Sequence, residues 1–263
     1  MRRPLANYCP LLVLVAALCL ACGCRERDQL EKEAPVLAHA NLKVDRIAIG
    51  GVVSTIPNLP DSAQNRDSWS AMIGGQLGRG RFGTLPIVPS RDVLPLLGRA
   101  DYDRMLDHFK SLGVCDSAAL GQLQTALEGK ARFVVFGKIE QDKTDWEQSE
   151  VETENKEAKT TTKIRTLTTT RTVLVRLRFY DLSTGQMAWD HLTGGQLVES
   201  KSHDMSDFVP RDKKESFVGS VIKSIVNSAI KPDPDYPSSP TFERCLATAF
   251  DNVGEYLKVE KKK

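Results

Sequence analysis

The chain has 263 residues, 41% hydrophobic and 27% charged, enough for one large domain or two small ones and incompatible with wholesale disorder or collagen-like repeats. Its 36 Lys and Arg against 34 Asp and Glu give a formal +2, and Arg2 and Arg3 supply that excess, so from residue 24 onward the balance is 34 against 34. With no net positive field to meet a phosphate backbone, nucleic acid is not an expected partner.

Arg2 and Arg3 precede an uncharged apolar run of twelve residues, Leu11 to Cys22 (LLVLVAALCLAC), closed by Gly23 and Cys24. That is the shape of a signal peptide over residues 1–23. A membrane-spanning helix needs about 20 apolar residues, and Asn7 and Pro10 interrupt any lengthening. The junction Ala21-Cys22-Gly23-Cys24 resembles the lipobox of bacterial lipoproteins, where a small residue precedes the cysteine that becomes the acylated N-terminus. Cys24 is the expected site of lipid (palmitate) attachment; Cys22 is the alternative, with Cys19 a poor residue three places before it. Arg25 follows in place of the aspartate that retains such proteins at the inner membrane, so resemblance to Gram-negative lipoproteins implies the periplasmic face of the outer membrane. A secreted protein with free N-terminal thiols is the competing reading.

Cys9, Cys19 and Cys22 leave with a leader cut before Cys24, so Cys115 and Cys245 remain. In an oxidising compartment they make one candidate disulfide; two buried free thiols acting as small hydrophobes are the alternative.

Residues 24–44 are charged and weakly periodic, expected as a flexible tether with a span of roughly 25 Å. An α/β domain, a mixed sheet covered by helices, is expected over residues 45–231. Arg46 to Val53 reads as a strand, closed by Pro57 and Pro60. Asp61 or Ser62 caps a helix to Gly78 carrying Trp69, Met72, Ile73 and Leu77. A strand follows over Thr84 to Pro89. Asp101 caps a helix whose stripe is Tyr102, Met105, Leu106, Phe109 and Leu112, stopped by Gly113, and Ser117 caps another with Leu120, Leu123 and Leu127. Ala131 to Ile139 (ARFVVFGKI) is nearly all apolar, as a mid-sheet strand buried on both faces would be. Thr172 to Tyr180 alternates, Asp181 to Gly185 turns, and Met187, Trp189 and His191 resume the alternation as a hairpin. Phe217 to Ile230 has helical spacing. Residues 232–240 form a proline-rich linker, and residues 241–263 an amphipathic helix with Phe242, Cys245, Leu246, Phe250, Val253 and Leu257, ending in Lys261 to Lys263.

The stretch from Glu140 to Thr170 fits less simply. It is threonine-rich and charged, with Trp146, Val151, Ile164 and Leu167 widely separated. Two readings stand: a solvent-exposed extension of two neighbouring strands, open to strand addition by a partner, or a disordered loop.

Three segments together resemble the curli-secretion (CsgG-like) outer-membrane lipoproteins and the related penicillin-binding-protein activators. LGRGRFGTLPIVPSRDVLPLL (Leu77 to Leu97) resembles that family's helix end, Arg-Phe pair and following strand; ARFVVFGKI its Ala-x-x-Val-x-Gly strand; VLVRLRFYDLSTGQMAWD its paired strands around a Thr-Gly turn. The resemblance covers about Asp45 to Lys231. It implies an accessory protein of secretion or cell-wall synthesis, with a homo-oligomeric ring as an alternative. Two departures matter: the Glu140 to Thr170 segment is too charged to be a lipid-facing barrel hairpin, and a tether of about 20 residues is short for crossing to an inner-membrane synthase.

Chemistry-bearing motifs are sparse. Gly78-Arg79-Gly80-Arg81-Phe82-Gly83 spells GxGxxG but ends a helix and precedes a strand, the reverse of a dinucleotide site. His39, His108, His191 and His203 lack ligand spacing, and the adjacent pairs Asp107-His108 and Asp190-His191 point different ways on a helix or strand. Arg176 and Arg178 share a strand face with Tyr180, expected as a solvated sheet face, with contact to an acidic partner as the alternative. No cofactor and no metal is expected. The reading is a non-enzymatic, lipid-anchored envelope protein that binds or assembles other envelope proteins; the alternative is a periplasmic hydrolase whose site is assembled from distant residues, which a histidine and a carboxylate within hydrogen-bonding distance in a cleft would support. Mass spectrometry of the mature N-terminus is expected to find acyl mass on Cys24. An acylated Cys22 would move the site, and an unacylated product starting at residues 22–25 would refute lipidation.

Overall fold

The computed structural model describes residues 29–79, 85–155, 160–204, 223–227 and 235–257. The expected signal peptide, Cys22 and Cys24, Gly80 to Gly83 of the GxGxxG segment and the lysine tail lie outside them. In chain order the elements are α1 (Pro35–His39), β1 (Ile47–Ser54), α2 (Ala63–Gly78), β2 (Ile87–Val88), α3 (Ser90–Leu97), α4 (Arg99–Leu112), α5 (Ser117–Ala126), β3 (Phe133–Asn155), β4 (Thr160–Asp181), β5 (Gln186–Asp204), β6 (Lys223–Asn227) and α6 (Phe242–Tyr256). The strands form one mixed sheet in the order β2-β1-β3-β4-β5, with β6 pairing β3 off that path; β1 and β2 run parallel, β3 and β6 antiparallel. This is the expected α/β fold, and β3 is central.

Two compact units share the chain. One holds residues up to Lys138, Arg176–Thr193 and Phe250 onward; the other holds Ile139–Val175 and Gly194–Ala249.

In the first unit every residue of β1 is buried, and Val134 and Phe136 of β3 join a cluster with Tyr102, Leu106, Phe109 and Leu123 from α4 and α5. Ser62 caps α2 as its sequence indicates, accepting from the Asn65 N–H at 3.2 Å. Two other caps sit elsewhere than expected. Gly98 precedes α4, which leaves Asp101 in the first turn, and Asp116, not Ser117, caps α5 by accepting from the Ala119 N–H. Leu112 drops out of the α4 stripe and is 61% exposed. Helix α3 was not anticipated, because Pro95 within SRDVLPLL reads as a breaker.

The tether requires a larger correction. Residues 29–33 are helical, α1 follows, and Leu30, Ala34, Leu37 and Leu42 are buried. Their spacing of four, three and five residues is the apolar stripe that a run of Glu and Lys disguised. Burying three leucines gains roughly 1.5–3 kcal/mol each, which offsets part of the entropy lost as the segment orders.

In the second unit Asp142, Gln148 and Glu150 of β3 meet Arg171, Arg165 and Lys163 of β4. Six residues forward along one strand match six back along the other, as in an antiparallel pair. Thr168–Ser200 and Thr166–Ser202 contacts set the same relation between β4 and β5. The Glu140 to Thr170 stretch is therefore a strand extension in its described residues and not a loop. One of its faces is closed: Leu167 and Thr169 are fully buried, and Thr169 donates to the Pro237 carbonyl. Residues 223–227, expected as part of a helix, form a strand; the rest of that expected helix lies outside the described residues.

Where α6 crosses β5, a Cβ on Gly195 would collide with the Cys245 carbonyl and the Ala249 nitrogen. Gly121, exposed on α5, has open space around the corresponding position. Gly195→Ala is expected to cost about 1–3 kcal/mol by forcing the helix off the strand, whereas Gly121→Ala is expected to gain up to about 1 kcal/mol by helix propensity. Denaturant unfolding of the two variants checks the opposite signs.

Candidate functional site

The alternation of β5 sends Trp189 and His191 to one side and Asp190 to the other, and on the first side they meet Glu33 and Tyr256. The Trp189 indole donates to the Glu33 carboxylate at 3.2 Å, and the His191 imidazole stacks on Trp189 with centroids 4.5 Å apart. Tyr256 of α6 lies against both rings, at 5.9 and 5.0 Å, and Phe179 packs on Trp189 at 5.4 Å. Glu33 precedes α1 and Tyr256 ends α6, so this cluster fastens the segments around α1 and the end of α6 to β5.

Its electrostatics suit a fastening. Burial pushes the His191 imidazole below its ordinary pKa, with Glu33 and Asp190 pulling the other way, and the nearest Glu33 oxygen stands 3.9 Å from Nδ1, beyond hydrogen-bond reach. Glu33 is lowered, foremost by the hydrogen bond from Gln29, with Trp189 and His191 adding to it against burial. The imidazole therefore packs as a neutral ring.

His108 comes closer to a carboxylate, its Nδ1 3.1 Å from Asp116 Oδ2. Both side chains are more than 40% exposed, and Asp116 is occupied as the α5 cap. Burial pushes the thiol of neighbouring Cys115 up to about 12, which keeps it protonated at neutral pH. His39 meets the Pro35 carbonyl, and the His203 Nε2 is buried with no partner among the described residues. No three His, Cys, Asp or Glu side chains among the described residues gather as a metal site would. Arg176 and Arg178, expected on a solvated sheet face, meet an acidic group within the chain: both reach Asp190, at 3.2 and 3.1 Å, and Arg178 also donates to the Gly113 carbonyl.

The expected Cys115–Cys245 disulfide is absent; both thiols are free and buried. Cys115 belongs to the α4–α5 core, its N–H bound to the Tyr180 hydroxyl, while the Cys245 sulfur faces the Arg171 carbonyl at 3.6 Å. Each packs as the small hydrophobe of the alternative reading.

Two cavities open in the first unit, of about 580 and 520 Å³. The larger is an apolar groove over Ala71, Gly74 and Gly75 of α2, beside Ile87 and Leu94; the smaller has Asp45, Glu128, Lys130 and Arg132 in its wall. Neither lining contains a histidine or cysteine. Among the described residues no helix is long and apolar enough to cross a membrane.

No protein-family profile matches the chain, and no curated protein does. Among solved structures, that of the hypothetical protein CT253 from Chlamydia trachomatis is similar, with 16% identity over 57% of this chain and 69% of that one and a TM-score of 0.32. So slight a likeness transfers neither fold nor function.

The His191 cluster sets a pH dependence. A histidine whose folded pKa lies below its unfolded value of about 6.5 contributes stability that is complete above that value and lost as pH falls below it toward the folded pKa. Unfolding free energy is expected to fall in the native chain as pH drops below about 6.5, and His191→Phe, which keeps the stacking, is expected to flatten that fall. An unchanged slope would show that His191 is not the titrating group.

Proposed function

We propose that this is a lipid-anchored protein of the cell envelope, held at the periplasmic face of the outer membrane through Cys24, which binds or assembles other envelope proteins and does so without catalysis. The curli-secretion resemblance and the lipobox support the location. So does the short distance from anchor to body: Gln29, five residues after Cys24, already lies in a helix, a reach of at most about 18 Å.

The observation that carries the binding role is the asymmetry of the β3–β4–β5 extension. On its closed face Leu167 and Thr169 are fully buried. The opposite face bears the Thr166–Ser202 and Thr168–Ser200 hydroxyl pairs, 3.1 Å each, with Ile164 40% and Val198 55% exposed. Apolar side chains set among hydroxyls offer a protein partner both burial and hydrogen bonds.

Ile164→Glu with Val198→Glu places charges on the exposed face and leaves the buried Leu167 and Thr169 in place. The doubly substituted, lipidated chain is expected to unfold within about 1 kcal/mol of the native one and to lose its cross-linked envelope partners. Undiminished cross-linking would refute this face as the binding element.

A further inference from the structure

The larger cavity of the first unit stays open because of a residue that packing does not require. Helix α2 carries adjacent glycines at 74 and 75, although only proline is a poorer helix former than glycine. A Cβ on Gly74 would meet Ile49 at 3.4 Å, an ordinary contact, and one on Gly75 would meet nothing within 4 Å. Together with Ala71, Ile87 and Leu94 these glycines form the floor of the groove of about 580 Å³. That volume lies within the roughly 300–1,000 Å³ of small-molecule sites.

Beside the floor stand groups that lack an anion. Ser90 lines the groove and is only 9% exposed, and its hydroxyl makes no hydrogen bond among the described residues. A buried hydroxyl left in that state costs free energy until a ligand satisfies it. Ser90 opens α3 directly after Pro89, which supplies no side-chain cap. The Asp92 and Val93 N–H groups bond to the Pro89 carbonyl, whereas those of Ser90 and Arg91 have no acceptor among the described residues and carry the positive end of the helix. Arg91, also in the groove wall, has a side chain 87% exposed, and its contact with Asp92 spans 3.9 Å, beyond hydrogen-bond reach. Asp67, the acidic residue of the described lining, is engaged by Arg99 at 3.3 Å.

We propose that the groove between α2 and α3 binds an aliphatic carboxylate of the fatty-acid class, with the carboxylate on the Ser90 hydroxyl, the first amides of α3 and Arg91, and the hydrocarbon chain along Ala71, Gly75 and Leu94. The head is selected by the unsatisfied donors and the cation. The tail is selected by the floor: apart from Asp67, Ser90 and Arg91 the described lining holds no polar side chain, so the amides of a peptide would be desolvated without partners, while a methylene chain gains by burial. All of these residues belong to the first unit, and the site does not depend on the β3–β4–β5 face being a contact surface.

Titration calorimetry of the full mature chain with decanoate and with 1-decanol, both below micellar concentration, tests the assignment. The native chain is expected to bind decanoate at least about fivefold tighter than decanol, since hydrogen bonds to a charged group are the stronger ones. Gly75→Leu puts a side chain into the open space over the floor and improves helix propensity, so it is expected to keep the thermal stability of the native chain. It is expected to weaken both ligands at least about tenfold, as a methylene-scale change in an apolar pocket does. Ser90→Ala with Arg91→Gln leaves α2 untouched and is expected to bring decanoate down to the affinity of decanol, a loss of at least about fivefold, with decanol unchanged. A native chain that binds neither ligand would overturn the proposal, as would equal affinity for the two, a folded Gly75→Leu chain that binds as the native one does, or a preference for decanoate that survives in the Ser90→Ala, Arg91→Gln chain. An N-acetylated apolar tripeptide with a free carboxylate binding tighter than decanoate would refute the aliphatic tail.

Discussion

Neighbouring strands β1 and β3 leave no polar face at the centre of the sheet, and the arrangement of the first unit follows from that. All eight residues of β1 are buried, and Phe133 to Phe136 of β3 have no exposed surface. Such strands need helices on both sides. Size complementarity sets how closely they approach: the Phe136 ring lies where Gly50 would carry a Cβ, and Val52 and Leu177 come within 3.1 and 3.2 Å of the position a Cβ on Gly137 would take. A Cβ on Gly50 would displace the Phe136 ring, and one on Gly137 would require Val52 and Leu177 to give by a few tenths of an ångström. The Phe136 ring is then seated against Phe109 of α4 and Tyr180 of β4, at 5.1 and 6.1 Å, and the Tyr180 hydroxyl receives the Cys115 N–H.

Charges are admitted to this interior only in company. Burial pushes the Asp61 carboxyl up, yet Arg66, Lys110 and the Ser54 N–H together more than offset it, and it ends below the usual range. Asp181 behaves likewise, with Arg132 and the Ser183 hydroxyl and N–H around it. The net stability such pairs add is small, because desolvation consumes much of the Coulomb attraction, whereas removing one partner strands the other at a cost of about 3–5 kcal/mol. Arg66 joins Asp61 to Asp107 of α4 at 2.6 Å each, and Arg132 joins Asp45 to Asp181. These pairs specify which loops meet more than they add to stability.

In the second unit one arginine does comparable positioning. Arg171 pairs with Asp142, donates to the Pro240 carbonyl and lies over the Phe242 ring, while its own carbonyl faces Cys245. The proline segment and the start of α6 are thereby tied to β4. The bare Gly195 surface lets the helix sit against β5.

Elements whose signal is local were legible from the residues alone. The ARFVVFGKI run announced a doubly buried central strand, the alternation of Val173, Val175, Leu177 and Phe179 announced a one-sided one, and Asp181 to Gly185 announced a turn, which forms through the Asp181 side chain and a positive φ at Gly185. The spacing of Phe242, Cys245, Leu246, Phe250, Val253 and Leu257 gave the buried face of α6. Strand or helix for Lys223–Asn227 was not decidable locally, since the apolar spacing was helical and only the free edge of β3 selects the strand. The cluster of Glu33, Trp189, His191 and Tyr256 joins residues up to 223 positions apart, and no local spacing encodes such a meeting. Nor does cysteine arithmetic reveal that two thiols will be buried apart from one another's bonding. Period and propensity belong to neighbouring residues and are written along the chain; caps shifted by one position, close approaches at glycine and the partners of buried charges depend on which surfaces the fold brings together, and only the tertiary structure decides them.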